Sequence, residues 1–560
     1  MRRTSFGRPH PVEGPGWTGS AFTPRNRSRT RWLGRRATTT TALLLVVGVV
    51  GCSSAAEVVT DAPSSSPGDA ETSSPAEPTG SVSPGEPVSS ASPTPPADTA
   101  TSQPPSPSGE EPTAGQAEVP ELDVLAVAES EPAEDPYYPE MSNPEVDVLH
   151  YLLALDWDGA RLNGETTVTF QATEDTSSVR LDLASALVVD QVSLDGEPIG
   201  HEQVDDGITF ETGALMPGQT HTLVIPYAGV PEPTPAPSAR SDMTGGLGWN
   251  VDDDGSVYTF QEPYGAFTWY PVNDHPSDKA LYDAAVTAYD GDVGVFNGVL
   301  ESSEGAGDAV TNTWHLDEPA ASYLVTIAIG PYTEHVKTTP SGMEISYWLM
   351  PRDEHLLPSL TRDGSDSFEW AEEHIGDYPF SSLGFLIVGG SSAMETQTLV
   401  TISRGAAGRP DAVVLHELSH QWFGDSVTPR DWQGMWLNEG WAMYLQQWFE
   451  TDTGRTQYGG GIDSWRLFDL ASRRTSGPPG DYDPESFGDV NVYLGPALML
   501  DRIRQRLGDA TFEEIVKAWP AQHEGETVDR EIFTRWLNAQ TGIDFTRLIA
   551  TWLDSERTPR

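Results

Sequence analysis

Residues 416–441 read HELSHQWFGDSVTPRDWQGMWLNEGW. The fold of the second half of the chain turns on whether their polar residues are scattered or converge. His416 and His420 stand four apart in the helical pattern DAVVLHELSHQWFG (411–424), so they share one face and can address one ion. Neutral imidazole suits zinc, but two histidines leave a tetrahedral ion short of ligands. Glu439 follows 19 residues after His420, inside a second helical pattern, DWQGMWLNEGWAMYLQQWFE (431–450). A helix, a short connection and a second helix fit that spacing. Two histidines and one glutamate leave a coordination position open, which is the arrangement of a catalytic rather than a structural zinc site. Zinc so held lowers the pKa of bound water toward 7 and polarises a carbonyl. Glu417, next to His416, is placed to act as a base there.

Outward from this stretch the helical period continues. SFEWAEEHIG (367–376), PALMLDRIRQRLG (496–508), TFEEIVKAWPAQ (511–522) and DREIFTRWLNAQTG (529–542) repeat near 3.6 residues, and several end at glycine. LGFLIVGG (383–390) reads as a buried strand. Before about residue 348 the pattern is different. VDVLHYLLALDWD (146–158), TTVTFQAT (166–173), VRLDLA (179–184), LVVDQVSLDG (187–196) and HTLVIPYAG (221–229) alternate apolar and polar residues and stop at turn residues. The expected fold is α+β and multidomain. An N-terminal antiparallel β saddle or sandwich (135–347) precedes a mainly helical domain with a small sheet (348–560). A Pro-rich loop, PEPTPAPSARSD (231–242), interrupts the β part.

Residues 1–51 read as a lipoprotein signal peptide. Nine arginines precede ATTTTALLLVVGVVGC (37–52), whose apolar core is too short to span a bilayer. The sole cysteine of the chain, Cys52, stands where lipidation would make it the mature N-terminus. Residues 52–134 are rich in Ser, Pro, Thr and Glu, with no aromatic or basic residue, and are expected to form a disordered tether. The formal net charge of −52 disfavours nucleic acid and anionic lipid surfaces as partners. Among smaller features, Asp252-Asp253-Asp254-Gly255 lacks EF-hand spacing and reads as a solvated turn. His275 reads as a structural loop residue, and Gly459-Gly460-Gly461 as a flexible loop near the mouth of the site.

HELSHQWFGDSVTPRDWQGMWLNEGW resembles the zinc signature of the gluzincin aminopeptidases, the alanyl aminopeptidase and leukotriene A4 hydrolase type. FQEPYGAFTWYPVNDHPSDKALY (260–282), ASYLVTIAIGPY (321–332), SAMETQTLV (392–400) and VYLGPALMLDRIRQRLGD (492–509) follow that family's order and spacing. The resemblance runs from about residue 135 to the end of the chain. It implies a thermolysin-like catalytic domain with one zinc on His416, His420 and Glu439, and Glu417 as general base and acid. It also implies that Glu395 binds the free α-ammonium of a peptide with help from Glu262, that Ala393 and Met394 lie along the substrate, and that Tyr493 stabilises the oxyanion. Tyr482 is the competing tyrosine. The chain departs from the family pattern at Ser392, Thr396 and Gly495-Pro496.

The resulting expectation is a zinc aminopeptidase lipid-anchored to the extracytoplasmic face of a bacterial membrane, acting on peptides with a free N-terminus. The alternatives are a non-catalytic peptide-binding lipoprotein, and an endopeptidase or other hydrolase of the same fold. Many members of the family carry a large helical C-terminal domain. The chain stops at Arg560, which leads to the expectation of an open cleft that accepts longer peptides.

Overall fold

Two strands build the first sheet, buried on both faces over 146–151 and alternating over 151–157 and 162–168. Val146–Trp157 and Leu162–Ala172 run antiparallel with Trp157 opposite Leu162, and Val168 and Phe170 are buried against Leu153 and Leu155 in one apolar core. The computed structural model describes residues 122–560 except 239, 241, 242, 408 and 409. The expected signal peptide, Cys52 and most of the expected tether lie outside the described residues. Among the described residues no helix is long and apolar enough to cross a membrane.

The large sheet runs Val299–Ala306, Ala309–Ala321, Lys279–Tyr289, Val146–Trp157, Leu162–Ala172, Thr220–Gly229, Val192–Leu194, Glu197–Ile199. Its pairs are antiparallel except one: Val146–Trp157 lies parallel to Lys279–Tyr289. Alternation reports which faces are buried, not strand direction. The long excursion between these two strands removes the hairpin constraint that would force them antiparallel. A second sheet, Gly248–Val251, Val257–Phe260, Ile327–Gly330, Val293–Phe296, carries the β part toward the site.

Residues 122–134, expected as the end of the tether, belong instead to the folded body. LDVLAVA (122–128) supplies leucine, which residues 52–121 lack, and Leu125 and Ala128 are buried against Leu149 and Leu281. Ser130 donates through N and Oγ to Asp147 Oδ1 at 3.1 and 2.7 Å. Asp135 then joins the two halves, accepting from Tyr138 N at 2.8 Å and from Trp432 N at 2.8 Å. Burial pushes Asp147 up to about 6 against the Ser130 hydrogen bonds, with Glu129 adding to the rise. Burial and then the Asp147 charge push Asp278, beside it, well above the usual range.

An acid whose folded pKa is raised makes folding take up protons. The penalty at Asp147 is absent below about pH 4, grows as pH rises to about 6, and is full above that. Asp147→Asn keeps an acceptor for Ser130 and removes the charge. It should stabilise the protein by about 1–3 kcal/mol at pH 8 and give no gain below pH 4. Urea unfolding at both pH values measures this; an equal gain at both would show that the charge is not the cause.

In the second half a five-stranded sheet runs Thr333–Thr338, Glu344–Leu349, Leu383–Val388, Leu399–Ser403, Ala393–Met394. Leu383–Val388 is buried throughout, as its sequence predicts. The switch of pattern read near residue 347 falls inside Glu344–Leu349, which pairs parallel with Leu383–Val388. The helical half therefore takes its sheet from Thr333 onward, because strands with ordinary alternation can serve either core. Helix Pro410–His420 lies between this sheet and helix Trp436–Thr453. Helix Val490–Leu507 starts at Asp489, whose side chain accepts from Val490 N at 2.8 Å, and packs on Trp436–Thr453. A Cβ at Gly440 would overlap the ring of Pro496. The glycine after Glu439 and the proline after Tyr493 thus let these two helices approach closely. Trp441, Trp465 and Trp519 are fully buried core residues.

Candidate metal centre and substrate cleft

Helix Pro410–His420 presents His416 and His420 four residues apart with ring centroids 5.1 Å from each other. Their Nε2 atoms lie 3.1 and 3.5 Å from Glu439 Oε2 on helix Trp436–Thr453. All three residues are buried, and their donor atoms lie within 4.8 Å of one another. Against the cost of burial, hydrogen bonds with the two histidines hold Glu439 well below the ordinary carboxylate range.

The far side of each ring decides what the site can hold. His420 Nδ1 faces the Phe423 carbonyl at 3.0 Å. A carbonyl only accepts, so the proton of neutral His420 sits on Nδ1 and the Nε2 lone pair faces Glu439. His416 Nδ1 faces Gln446 Oε1 at 3.1 Å, while Gln446 Nε2 donates to Glu450 Oε1 at 2.9 Å. Glu450 orients the amide, and the amide sets the His416 tautomer. Two Nε2 lone pairs and one carboxylate, oriented from outside, fit one zinc ion, and His416, His420 and Glu439 are the zinc site. Sequence reading missed Gln446. Its position seven residues after Glu439, two turns along the same helix, is the signal that could have found it.

Four further residues named from sequence meet this centre in a cleft of about 300 Å³ between the two halves. Glu417 lines it, buried, and burial pushes its carboxyl up to about 7 while His416 and His420 oppose the shift. Glu395 follows edge strand Ala393–Met394, and Glu262 follows strand Val257–Phe260 of the β half. Both are buried, and Oε1 of each has no hydrogen-bond partner among the described residues. Burial, then the charges of Glu395 and Glu439, raise Glu262 well above the usual range; Arg240 and His420 pull it down. Burial also raises Glu395. Gln421, one residue past His420, fixes the Glu395 loop by donating to Glu395 O at 3.0 Å and accepting from Thr398 N at 2.9 Å.

Tyr493 also lines the cleft, its ring stacked on His416 at 6.1 Å. Tyr482, the competing choice, is buried and donates to Trp432 O at 2.7 Å, so its hydroxyl is committed to the scaffold. Ser392, Ala393 and Met394 border the cleft. Thr396 does not: its hydroxyl donates to Leu399 O and contacts Thr401 Oγ1 at 2.9 Å. That departure from the family pattern is turned into the protein.

The remaining features separate. Asp252–Gly255 forms the turn between Gly248–Val251 and Val257–Phe260. It is more than a solvated turn, because Asp252 and Asp254 pair with Arg352, and Asp252 also with Arg404 Nη2 at 3.2 Å. Gly460 borders a separate pocket with Tyr444 and Trp448, not the metal cleft. The glycine run is therefore not at the mouth of the site. His275 is buried between Ser277 and Asp135, as a structural residue should be.

Residues 365–552 match the peptidase family M1 domain. Aminopeptidase N of Streptomyces lividans is 28% identical over 326 residues, covering 53% of this chain and 36% of that protein. Aminopeptidase 2 of Candida albicans is 26% identical over 336 residues, covering 55% of this chain and 35% of that protein. The chain thus spans about a third of the length of these curated relatives. Among solved structures, an M1 zinc metallopeptidase mutant of Deinococcus radiodurans bound to a Tyr-Ser-Ala substrate superimposes with a TM-score of 0.64 at 25% identity. That match covers 75% of this chain and 98% of the other. A two-domain M1 zinc metallopeptidase mutant bound to L-tryptophan matches with a TM-score of 0.64, also at 25% identity, over 75% of this chain and 96% of the other.

Proposed function

We propose that the M1 peptidase domain of this chain acts as a zinc aminopeptidase, removing the first residue of peptides that carry a free N-terminus. The observation that carries this reading is the pair Glu262 and Glu395. Each is buried with a carboxylate oxygen that has no partner among the described residues, and both line the cleft that holds His416, His420 and Glu439. Unpartnered buried carboxylates are costly. An α-ammonium between them would supply the missing donors and charge. With one end of the peptide fixed there, only the first peptide bond reaches the metal centre, so one residue leaves per cycle.

Zinc, when bound, supplies the Lewis acid that polarises the scissile carbonyl and acidifies the attacking water. Glu417 takes the proton of that water and passes it to the leaving nitrogen. Tyr493 donates a hydrogen bond to the carbonyl oxygen as it gains charge. Edge strand Ala393–Met394, paired on one side only, offers its free side to the substrate backbone.

Assays of the full chain with aminoacyl-anilides and N-acetylated counterparts test the reading. Free-amine substrates should turn over and N-acetylated ones should not. Glu395→Gln should lower kcat/KM on free-amine substrates by about 10²-fold, since truncating one partner of a buried charge pair costs about 2–5 kcal/mol. It should not lower the residual rate on the acetylated ones. Equal cleavage of both substrate kinds would instead favour an endopeptidase or another hydrolase.

The same reading holds the enzyme on the extracytoplasmic face of a bacterial membrane through a lipid on Cys52. Its support is the pattern of residues 1–52. Cys52→Ser should shift the protein from the detergent phase to the aqueous phase on partitioning. Retention in the detergent phase would rule out this anchor.

A further inference from the structure

The Pro-rich loop of the β half reaches the metal cleft, and one of its side chains touches the machinery. Thr234 and Leu247 exchange backbone hydrogen bonds at 2.9 and 2.7 Å, closing the loop at its base. Arg240, Met243 and Gly245, beyond that closure, line the cleft. Arg240 Nη1 donates to Gly488 O at 2.9 Å and approaches Tyr493 Oη at 3.4 Å. Gly488 has φ +67°, and a Cβ there would overlap Arg240 Nη1. The absent side chain therefore makes room for the guanidinium. Arg240 is the one arginine or lysine among the described residues lining the cleft.

We infer that Arg240 is a positioning residue for catalysis: it donates to the phenol oxygen of Tyr493 and so directs the phenol hydrogen toward the reacting carbonyl oxygen. The inference rests on the aminopeptidase reading of this site. A guanidinium has donors and no acceptor, so it occupies a lone pair of the Tyr493 oxygen and cannot take its hydrogen. That hydrogen is left for the cleft side, where the Glu439 carboxylate faces it and a reacting carbonyl oxygen would compete for it. The guanidinium stays charged at any working pH, so the arrangement persists. A fixed positive charge behind the phenol also strengthens it as a donor, most where the acceptor carries the most negative charge. The benefit is therefore larger in the transition state than with bound substrate, and it falls on kcat rather than KM. The contact at 3.4 Å is long for a hydrogen bond, as catalytic contacts often are before substrate binds.

The test is a double-mutant cycle on the full chain, with zinc content and melting temperature checked for every variant. Arg240→Met should lower kcat by about 10-fold, leave KM within about twofold, and weaken binding of a phosphinic dipeptide, read by calorimetry, by the same about 10-fold. Affinity for a free product amino acid, which feels Arg240 only through the charge on Glu262, should change less than affinity for the phosphinic probe. In a Tyr493→Phe background, Arg240→Met should be nearly silent. Arg240→Lys should recover part of the loss. Gly488→Ala, which displaces the guanidinium without removing it, should reproduce Arg240→Met.

Equal effects of Arg240→Met with and without Tyr493, or a rise in KM alone, would overturn the inference. The second result would make Arg240 a binding residue for a substrate carboxylate. Phosphinic-peptide binding needs no turnover. A wild type that binds the probe through Arg240 and Tyr493 yet cleaves nothing would overturn the aminopeptidase reading and leave the Arg240–Tyr493 coupling standing without its catalytic role. A wild type that turns over with an additive cycle would do the reverse, and a wild type that neither binds the probe nor turns over would overturn both.

Discussion

Glu417→Gln keeps its zinc and lowers kcat by about 10³–10⁴-fold, with KM within about threefold. Glutamine has the size and polarity of the glutamate but cannot accept the proton of the attacking water or return it to the leaving nitrogen. The result also decides between two overlapping donor sets. His416, His420 and Glu439 converge, and so do Glu395, Glu417 and His420. The first set has both imidazoles oriented from behind, by Gln446 and by the Phe423 carbonyl. The second would spend Glu395 and Glu417 on the ion and leave neither for substrate or proton. Metal analysis of the purified variant beside its kinetics separates them. One zinc per chain with the activity lost assigns Glu417 to proton transfer, whereas zinc lost together with activity would make it a ligand. Retention of both zinc and activity would remove it from the chemistry.

The parts of the site that were legible in the sequence are those carried by a period. His416, His420 and Glu439 stand on two helices whose apolar spacing is plain, and the open coordination position follows from the ligand count. Glu262, Glu395 and Tyr493 came from resemblance alone, because a single carboxylate or phenol in a loop or at a strand end has no pattern of its own. Sequence left Tyr493 and Tyr482 in competition. The structure separates them by what their hydroxyls meet, an arginine and the metal centre for one and the Trp432 carbonyl for the other. Arg240 was invisible. It sits in a Pro-rich loop, and its partner Gly488 is 248 residues away in the chain.

The errors in the fold share one cause: local composition does not name a partner. Alternation in Val146–Trp157 marks buried faces, but not that the neighbouring strand is parallel. The strand Glu344–Leu349 looks like those before it and joins the sheet after it. The tether composition hides LDVLAVA, seven residues that suffice to seat the chain on Leu149 and Leu281. The departures Thr396 and Pro496 likewise take their meaning from partners distant or turned away in three dimensions. Thr396 turns away from the cleft, and Pro496 packs on the glycine that follows a zinc ligand.

Glu439→Gln should lower zinc affinity by on the order of 10³-fold, and Gln446→Ala by about 10–100-fold, with the second variant regaining full activity at high zinc. Glu439 is the one anionic ligand of the set and sits in a cleft shared with Glu262, Glu395 and Glu417. A glutamine in its place keeps the shape but removes the charge that binds the ion most strongly. Gln446 never touches the ion; it holds the proton on His416 Nδ1, and Glu450 in turn holds Gln446. Its loss lets the ring turn or change tautomer, which weakens a ligand without deleting one. Zinc that binds only the folded protein stabilises it by RT ln(1 + [L]/Kd), so a thousandfold weaker site forfeits about 4 kcal/mol at a zinc level that saturates the wild type. The melting temperature should therefore fall in the order wild type, Gln446→Ala, Glu439→Gln, and the three should converge once a chelator strips the metal. Competition with a chromogenic chelator gives the affinities, and thermal scans with and without zinc give the stabilities. Glu439→Gln with wild-type zinc affinity would show that the ion sits elsewhere among these carboxylates. A gap in melting temperature that survives the chelator would mean that Glu439 stabilises the fold through His416 and His420 rather than through the metal.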